Sequence, residues 1–76
     1  MPYSMPEVRL ECLSPEAAQA VVTEADLPAQ NHRARADGSA VVLTYFDKRY
    51  PLDVATWAFE NGHADEGPAS AVIGAL

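Results

Sequence analysis

Polar and apolar residues alternate from Glu7 to Leu13, with Val8, Leu10 and Cys12 on one side and Glu7, Arg9 and Glu11 on the other. A period of two over this length predicts a half-buried strand. The spacing changes at Ser14-Pro15-Glu16. Ser14 is suited to accept an otherwise unpaired N–H as N-cap, Pro15 fits the first helical position, and Glu16 complements the positive end of the helix dipole. Ala18, Val21, Val22 and Ala25 then recur at i, i+3, i+4 and i+7, which predicts a helix over Pro15–Asp26 stopped by Pro28.

Asp37-Gly38 lies between two runs of strand character, and Asp-Gly suits the positive φ angles of a two-residue hairpin turn. With those two residues as the loop, Ala36 faces Ser39, Ala34 faces Val41 and His32 faces Leu43. One side of the hairpin then carries His32, Ala34, Ala36, Val41, Leu43 and Tyr45; the other carries Arg33, Arg35, Val42, Thr44 and Phe46. The second of these strands is apolar on both sides, which predicts a central position or a used outer face.

Asp47-Lys48-Arg49-Tyr50 makes a turn, Pro51 opens a helix over Pro51–Asn61, and Gly62 ends it in the C′ position. Asp53, Thr56 and Glu60 form a narrow polar stripe, while Leu52, Val54, Ala55, Trp57, Ala58 and Phe59 cover the rest. That apolar surface is wider than a helix lying on one sheet requires, so neighbours cover it or part of it is an interface. His63–Pro68 reads as a loop. Ala69–Leu76 is apolar but broken by Gly74, and is expected as a last strand, with a short helix or a tail as the alternatives.

The resulting order, strand, helix, strand, strand, helix, strand, predicts a single small α+β domain. It is a two-layer sandwich of ferredoxin-like order, βαββα(β), with two helices on one face of an antiparallel sheet and a flexible arm over residues 1–6. Without the last strand the same argument gives three strands carrying two helices.

Composition narrows the function classes. The chain has 76 residues and a formal charge of −6, which argues against direct nucleic-acid binding, where basic side chains meet phosphates. Leu, Ile, Val and Phe make up about a fifth of the chain, just above the level at which disorder is expected. The domain is therefore expected to be folded on a thin core, since one of this size buries only about 60% of its unfolded surface. No signal-like or membrane-spanning run is present in the sequence, and a lone Cys12 fits a reducing compartment, so a cytoplasmic location is expected.

Candidate chemistry is sparse. Cys12 with His32 would be a nucleophile and base, but their strands are separated by a third in the expected order, and Cys12 reads as a small core hydrophobe. His63-Ala64-Asp65-Glu66 reads as an exposed loop rather than a metal site. No catalytic residue, cofactor or metal is assigned, and the chain is expected not to be an enzyme. There is no Gly-rich phosphate loop.

Charge is distributed unevenly. Residues 1–30 hold Glu7, Glu11, Glu16, Glu24 and Asp26 against Arg9, and residues 51–76 hold Asp53, Glu60, Asp65 and Glu66 with no basic residue. Between them, Arg33, Arg35, Lys48 and Arg49 face only Asp37 and Asp47. Two contact surfaces follow. One is acidic, built from Glu7, Glu11, Asp53, Glu60, Asp65 and Glu66, and would dock a basic protein surface. The other is the uncovered sheet face, with Arg33, Arg35, Val42 and Phe46, joined by Trp57 if it faces outward. The expected function is a small acidic inhibitor or modulator of a larger protein or ribonucleoprotein complex, with a physical profile similar to phage-encoded inhibitors of the anti-CRISPR kind. The alternative is a small-molecule-sensing regulatory domain, dimeric through its sheet.

Overall fold

The computed structural model describes residues 5–24 and 33–76. Its elements are β1 (Glu7–Glu11), α1 (Pro15–Glu24), β2 (Arg33–Asp37), β3 (Ala40–Thr44), α2 (Arg49–Glu60) and α3 (Glu66–Ala75). The sheet is antiparallel in the order β1-β3-β2. Among the described residues the chain is thus a small α+β fold of three strands and three helices, and β3, apolar on both sides, is the central strand.

Backbone hydrogen bonds lengthen the β1–β3 ladder at both ends, Cys12 N–H donating to Ser39 C=O at 2.8 Å and Tyr45 N–H to Pro6 C=O at 3.1 Å. Ser14 caps α1 through its hydroxyl, which accepts Ala17 N–H at 3.0 Å. The expected end of α1 at Asp26, the Pro28 stop and His32 lie outside the described residues.

Three expectations need correction. The hairpin loop is Gly38-Ser39, because Asp37 pairs with Ala40. A turn over Asp37-Gly38 with positive φ at both positions is not formed: among the described residues only Gly38 (φ 63°) and Gly62 (φ 75°) have positive φ. A positive φ at the first loop residue alone is the type II′ pattern. The register therefore moves by two, to Ala36 opposite Val41 and Ala34 opposite Leu43. An even shift keeps every side chain on its expected face.

Helix α2 begins two residues earlier than expected. The Asp47 carboxylate accepts Arg49 N–H at 2.9 Å, which starts the helix ahead of Pro51. Pro51 then occupies the third helical position, where its missing N–H costs nothing. At the other end, Gly62 N–H donates to Phe59 C=O and His63 N–H to Ala58 C=O, the paired bonds of a Schellman motif.

The third correction is the largest. Residues 66–75 are a helix, and the fourth strand is not formed, so the expected ferredoxin-like order with two helices gives way to three strands and three helices. Asp65 is the N-cap in extended conformation (φ −78°, ψ 165°). Pro68 sits third in α3, as Pro51 does in α2. Ala69 and Val72 point into the core at i and i+3, and Leu76 continues the stripe.

One core unites the layers. Leu10, Val41 and Leu43 from the inner sheet face meet Ala18 and Val21 of α1, Val54, Ala55 and Ala58 of α2, and Ala69 and Val72 of α3. α1 lies against β2 and β3, while α3 packs on β1 and on α2. Ala40 and Val42, of the opposite parity, are buried but stand outside that cluster.

Candidate functional site: a charged sheet face and an acidic helical side

The outer sheet face is three rows of side chains set by the strand register. Glu11, Ala40 and Asp37 stand abreast, then Arg9, Val42 and Arg35, then Glu7, Thr44 and Arg33. Arg9 reaches from β1 past the central strand to Asp37 on β2, Nη1 to Oδ2 at 2.8 Å, while its Nε donates to Glu11 Oε1 at 3.0 Å. That reach is open because the middle residue of the acidic row is Ala40, which is fully buried. Val42, which stands between Arg9 and Arg35 in the register, is also buried, at 6% exposure.

The Arg9 hydrogen bond, with the charge of Arg9 and then of Arg35 behind it, holds the Asp37 carboxyl below the usual aspartate range. The Arg9 guanidinium is correspondingly raised by its bonds to Asp37 and Glu11. A depressed carboxyl favours the native state above its unfolded pKa, and that contribution disappears as pH falls through the lower native value. Carboxyl-detected NMR titration is expected to show Asp37 protonating at lower pH than an ordinary aspartate. In Arg9→Gln the midpoint moves back up towards the ordinary value; an unchanged midpoint would mean that the ion pair does not form in solution.

Arg33, Arg35 and Glu7 are exposed and make no salt bridge among the described residues. Phe46, just past β3, is 66% exposed. Of the residues expected at this face, Phe46, Arg33 and Arg35 are therefore accessible, Glu11 is engaged by Arg9, and Val42 is buried.

The helical side is different in kind. Asp53 and Glu60 on α2, Asp65 at the N-cap of α3 and Glu66 in its first turn are all exposed. None makes a salt bridge among the described residues. Trp57 is half-buried against the core and its ring stacks on His63, centroids 5.3 Å apart. The backbone of the same loop is fixed to the start of α1, Leu13 N–H donating to His63 C=O at 2.9 Å. Trp57 is thus a packing residue with one edge in water. Phe59 (47%) and Leu52 (36%) are the α2 apolar residues that stay exposed. The wide apolar surface of α2 is met partly by α3 and left partly open.

Among the described residues no three His, Cys, Asp or Glu side chains are placed to hold a metal ion. Burial, and after it the charge of Glu11, pushes the Cys12 thiol up, away from the reactive thiolate. His32, its suggested partner, lies outside the described residues. The concavity recorded on α1 is lined by Glu16, Gln19, Ala20, Thr23 and Glu24, the outward side of one helix. Among the described residues no helix is long and apolar enough to cross a membrane.

The Arg9 bridge and the Trp57–His63 stack are the features sequence reasoning missed. Nothing local signalled either: Arg9 comes within reach of Asp37 only through the β1–β3 and β2–β3 registers, which the fold sets. Fold and surface together define a class, a small α+β domain with a charged sheet face that carries no helix among the described residues, and an acidic helical side. No known protein family, curated protein or solved structure matches the chain.

Proposed function

We propose that this chain is a non-enzymatic protein-binding modulator that docks a basic surface of a larger protein or ribonucleoprotein complex. The observation that supports this reading is the state of the acids in residues 51–76. Asp53, Glu60, Asp65 and Glu66 are all exposed, none is in an ion pair among the described residues, and the segment has no basic residue to neutralise them. An unneutralised acidic side steers encounter with a basic partner and rejects acidic ones. The most specific form of this reading is a phage-encoded inhibitor of the anti-CRISPR kind, acting in the cytoplasm. It would occupy a basic protein surface that otherwise takes nucleic acid, without binding nucleic acid itself.

Affinity capture with the whole chain tests it. A specific partner is expected to be retained at low salt (about 0.05 M) and released at high salt (about 0.5 M), where screening acts over only a few ångströms. The triple variant Glu60→Gln, Asp65→Asn, Glu66→Gln should lose that partner while melting as the wild type does. A partner held equally by both proteins at both salts would sink the acidic-docking reading.

One observation favours the alternative of a dimeric small-molecule-sensing domain, namely Phe46 standing 66% exposed beside the charged sheet face. Light scattering separates the two. A mass twice the 8.2 kDa of the chain at both low and high salt supports the dimer, and a monomer at both removes it.

A further inference from the structure

The exposed side of α2 has two parallel rows. Leu52, Thr56 and Phe59 stand at i, i+4 and i+7, on one line along the helix. Leu52 is 36% exposed and Phe59 47%. Thr56, also exposed, donates its hydroxyl to Leu52 C=O at 2.9 Å, so its one donor is satisfied within its own helix and asks none of a partner. Beside this row run Asp53 and Glu60, again seven apart and both exposed. Arg49, one turn before Asp53, lies 3.9 Å from Asp47 and closes the basic end of the helix. At the other end, the negative pole of the helix dipole and the exposed Asp65 and Glu66 extend the acidic side.

From this geometry we infer that α2 is a docking face for a basic amphipathic helix of another protein, its apolar residues meeting Leu52 and Phe59 and its lysines or arginines meeting Asp53 and Glu60. The inference rests on the acidic-docking reading above and gives it a partner of defined chemistry. The charge pattern sets the occupant. An apolar helix without cations would leave the two acids unanswered, and an acidic one would be repelled. A second copy of this chain does not meet the requirement. α1 and α3 contain no basic residue, and α2 has only Arg49. The recognition mode is helix against an apolar row, with anchors spaced by whole turns and a charged flank fixing orientation.

Trp57 is the sole tryptophan and lies four residues after Asp53 and three before Glu60, beside the acidic row, so binding can be followed by its fluorescence with a tryptophan-free peptide. The probe is a helical peptide of about 18 residues built from Leu and Lys, with all Leu on one face. Its control has the same composition in an order that destroys the apolar face. The amphipathic peptide is expected to bind saturably with one site per chain and the control at least about tenfold more weakly. Phe59→Ala and the pair Asp53→Asn, Glu60→Gln should each weaken the amphipathic peptide by about tenfold or more. Leu52→Ser provides a second apolar variant should Phe59→Ala melt early. Equal binding of both peptides, lost only when the acids are replaced, overturns the helix-docking inference and leaves acidic docking standing. Binding of neither peptide also overturns it, and the capture experiment then decides the broader reading alone.

Discussion

Val72→Asp is expected to unfold the domain, whereas Ile73→Asp, one residue further, leaves it folded. Val72 is 1% exposed and belongs to the common core, while Ile73 is 44% exposed on the same helix. Helix α3 packs on both β1 and α2, so a carboxylate at position 72 would be forced into an apolar core that holds no buried charged residue among the described residues. Leaving a charge unpaired in such a place costs several kcal/mol. A domain of this length has roughly 4–11 kcal/mol in total, at about 0.05–0.15 kcal/mol per residue. A surface change such as Ile73→Asp usually stays within about 0.5 kcal/mol. Far-UV circular dichroism with a thermal melt of both variants reads the difference. Similar, small effects of the two would mean that the last ten residues are a loosely held tail.

That same segment shows where the sequence was hard to read. Asp65-Glu66-Gly67-Pro68 looks like a loop because Gly and Pro are the usual punctuation of loops. As a helix start, however, it is regular, with an aspartate N-cap, an acid in the first turn and Pro where no N–H is required. Pro51 was displaced in the same way, since the Asp47 side chain, not the proline, sets where α2 begins. The sequence reads Pro51 as the first helical residue and Pro68 as the end of a loop, whereas the first turn as a whole tolerates proline. By contrast, Ser14-Pro15 was legible because the serine caps through its hydroxyl and Pro15 does occupy the first position.

The strand faces were legible because parity survives an even shift of register. Asp37 and Gly38 marked the hairpin, and the structure moved only the loop, from Asp37-Gly38 to Gly38-Ser39. What could not be read was the use of Asp37. Its place opposite Ala40, rather than in the turn, puts its carboxylate on the outer face within reach of Arg9. Such a contact spans two strand pairings and twenty-eight positions of sequence. No local pattern encodes it, and it depends on Ala40 being small enough to pass over. The acids of residues 51–76 were visible from composition alone, but their being unpaired required the fold, which keeps the cations of the hairpin from neutralising them.

The second large effect is Leu43→Ala. Leu43 is fully buried on the inner face of the central strand, with Val8 and Ala34 beside it in register. Neither neighbour can fill the space: Ala34 has no side chain to spare, and the helix residues facing this core include Ala18, Ala55, Ala58 and Ala69. A core rich in alanine collapses poorly around a deletion, so the loss is expected at about 3 kcal/mol. In a domain of this size that lowers the melting temperature by roughly 12–24 °C, at about 4–8 °C per kcal/mol. Val42→Ala, on the same strand but the outer face, should cost only about 1 kcal/mol. Val42 stands in register between Arg9 and Arg35, long exposed side chains whose stems can settle into the gap. Urea unfolding of both variants at two protein concentrations compares the faces directly. If Val42→Ala costs as much as Leu43→Ala, and more at the higher concentration, the outer face is packed against a second copy, and the dimeric reading gains over acidic docking. If the costs differ threefold and do not depend on concentration, the outer face is not packed against a second copy, and the dimeric reading loses its surface.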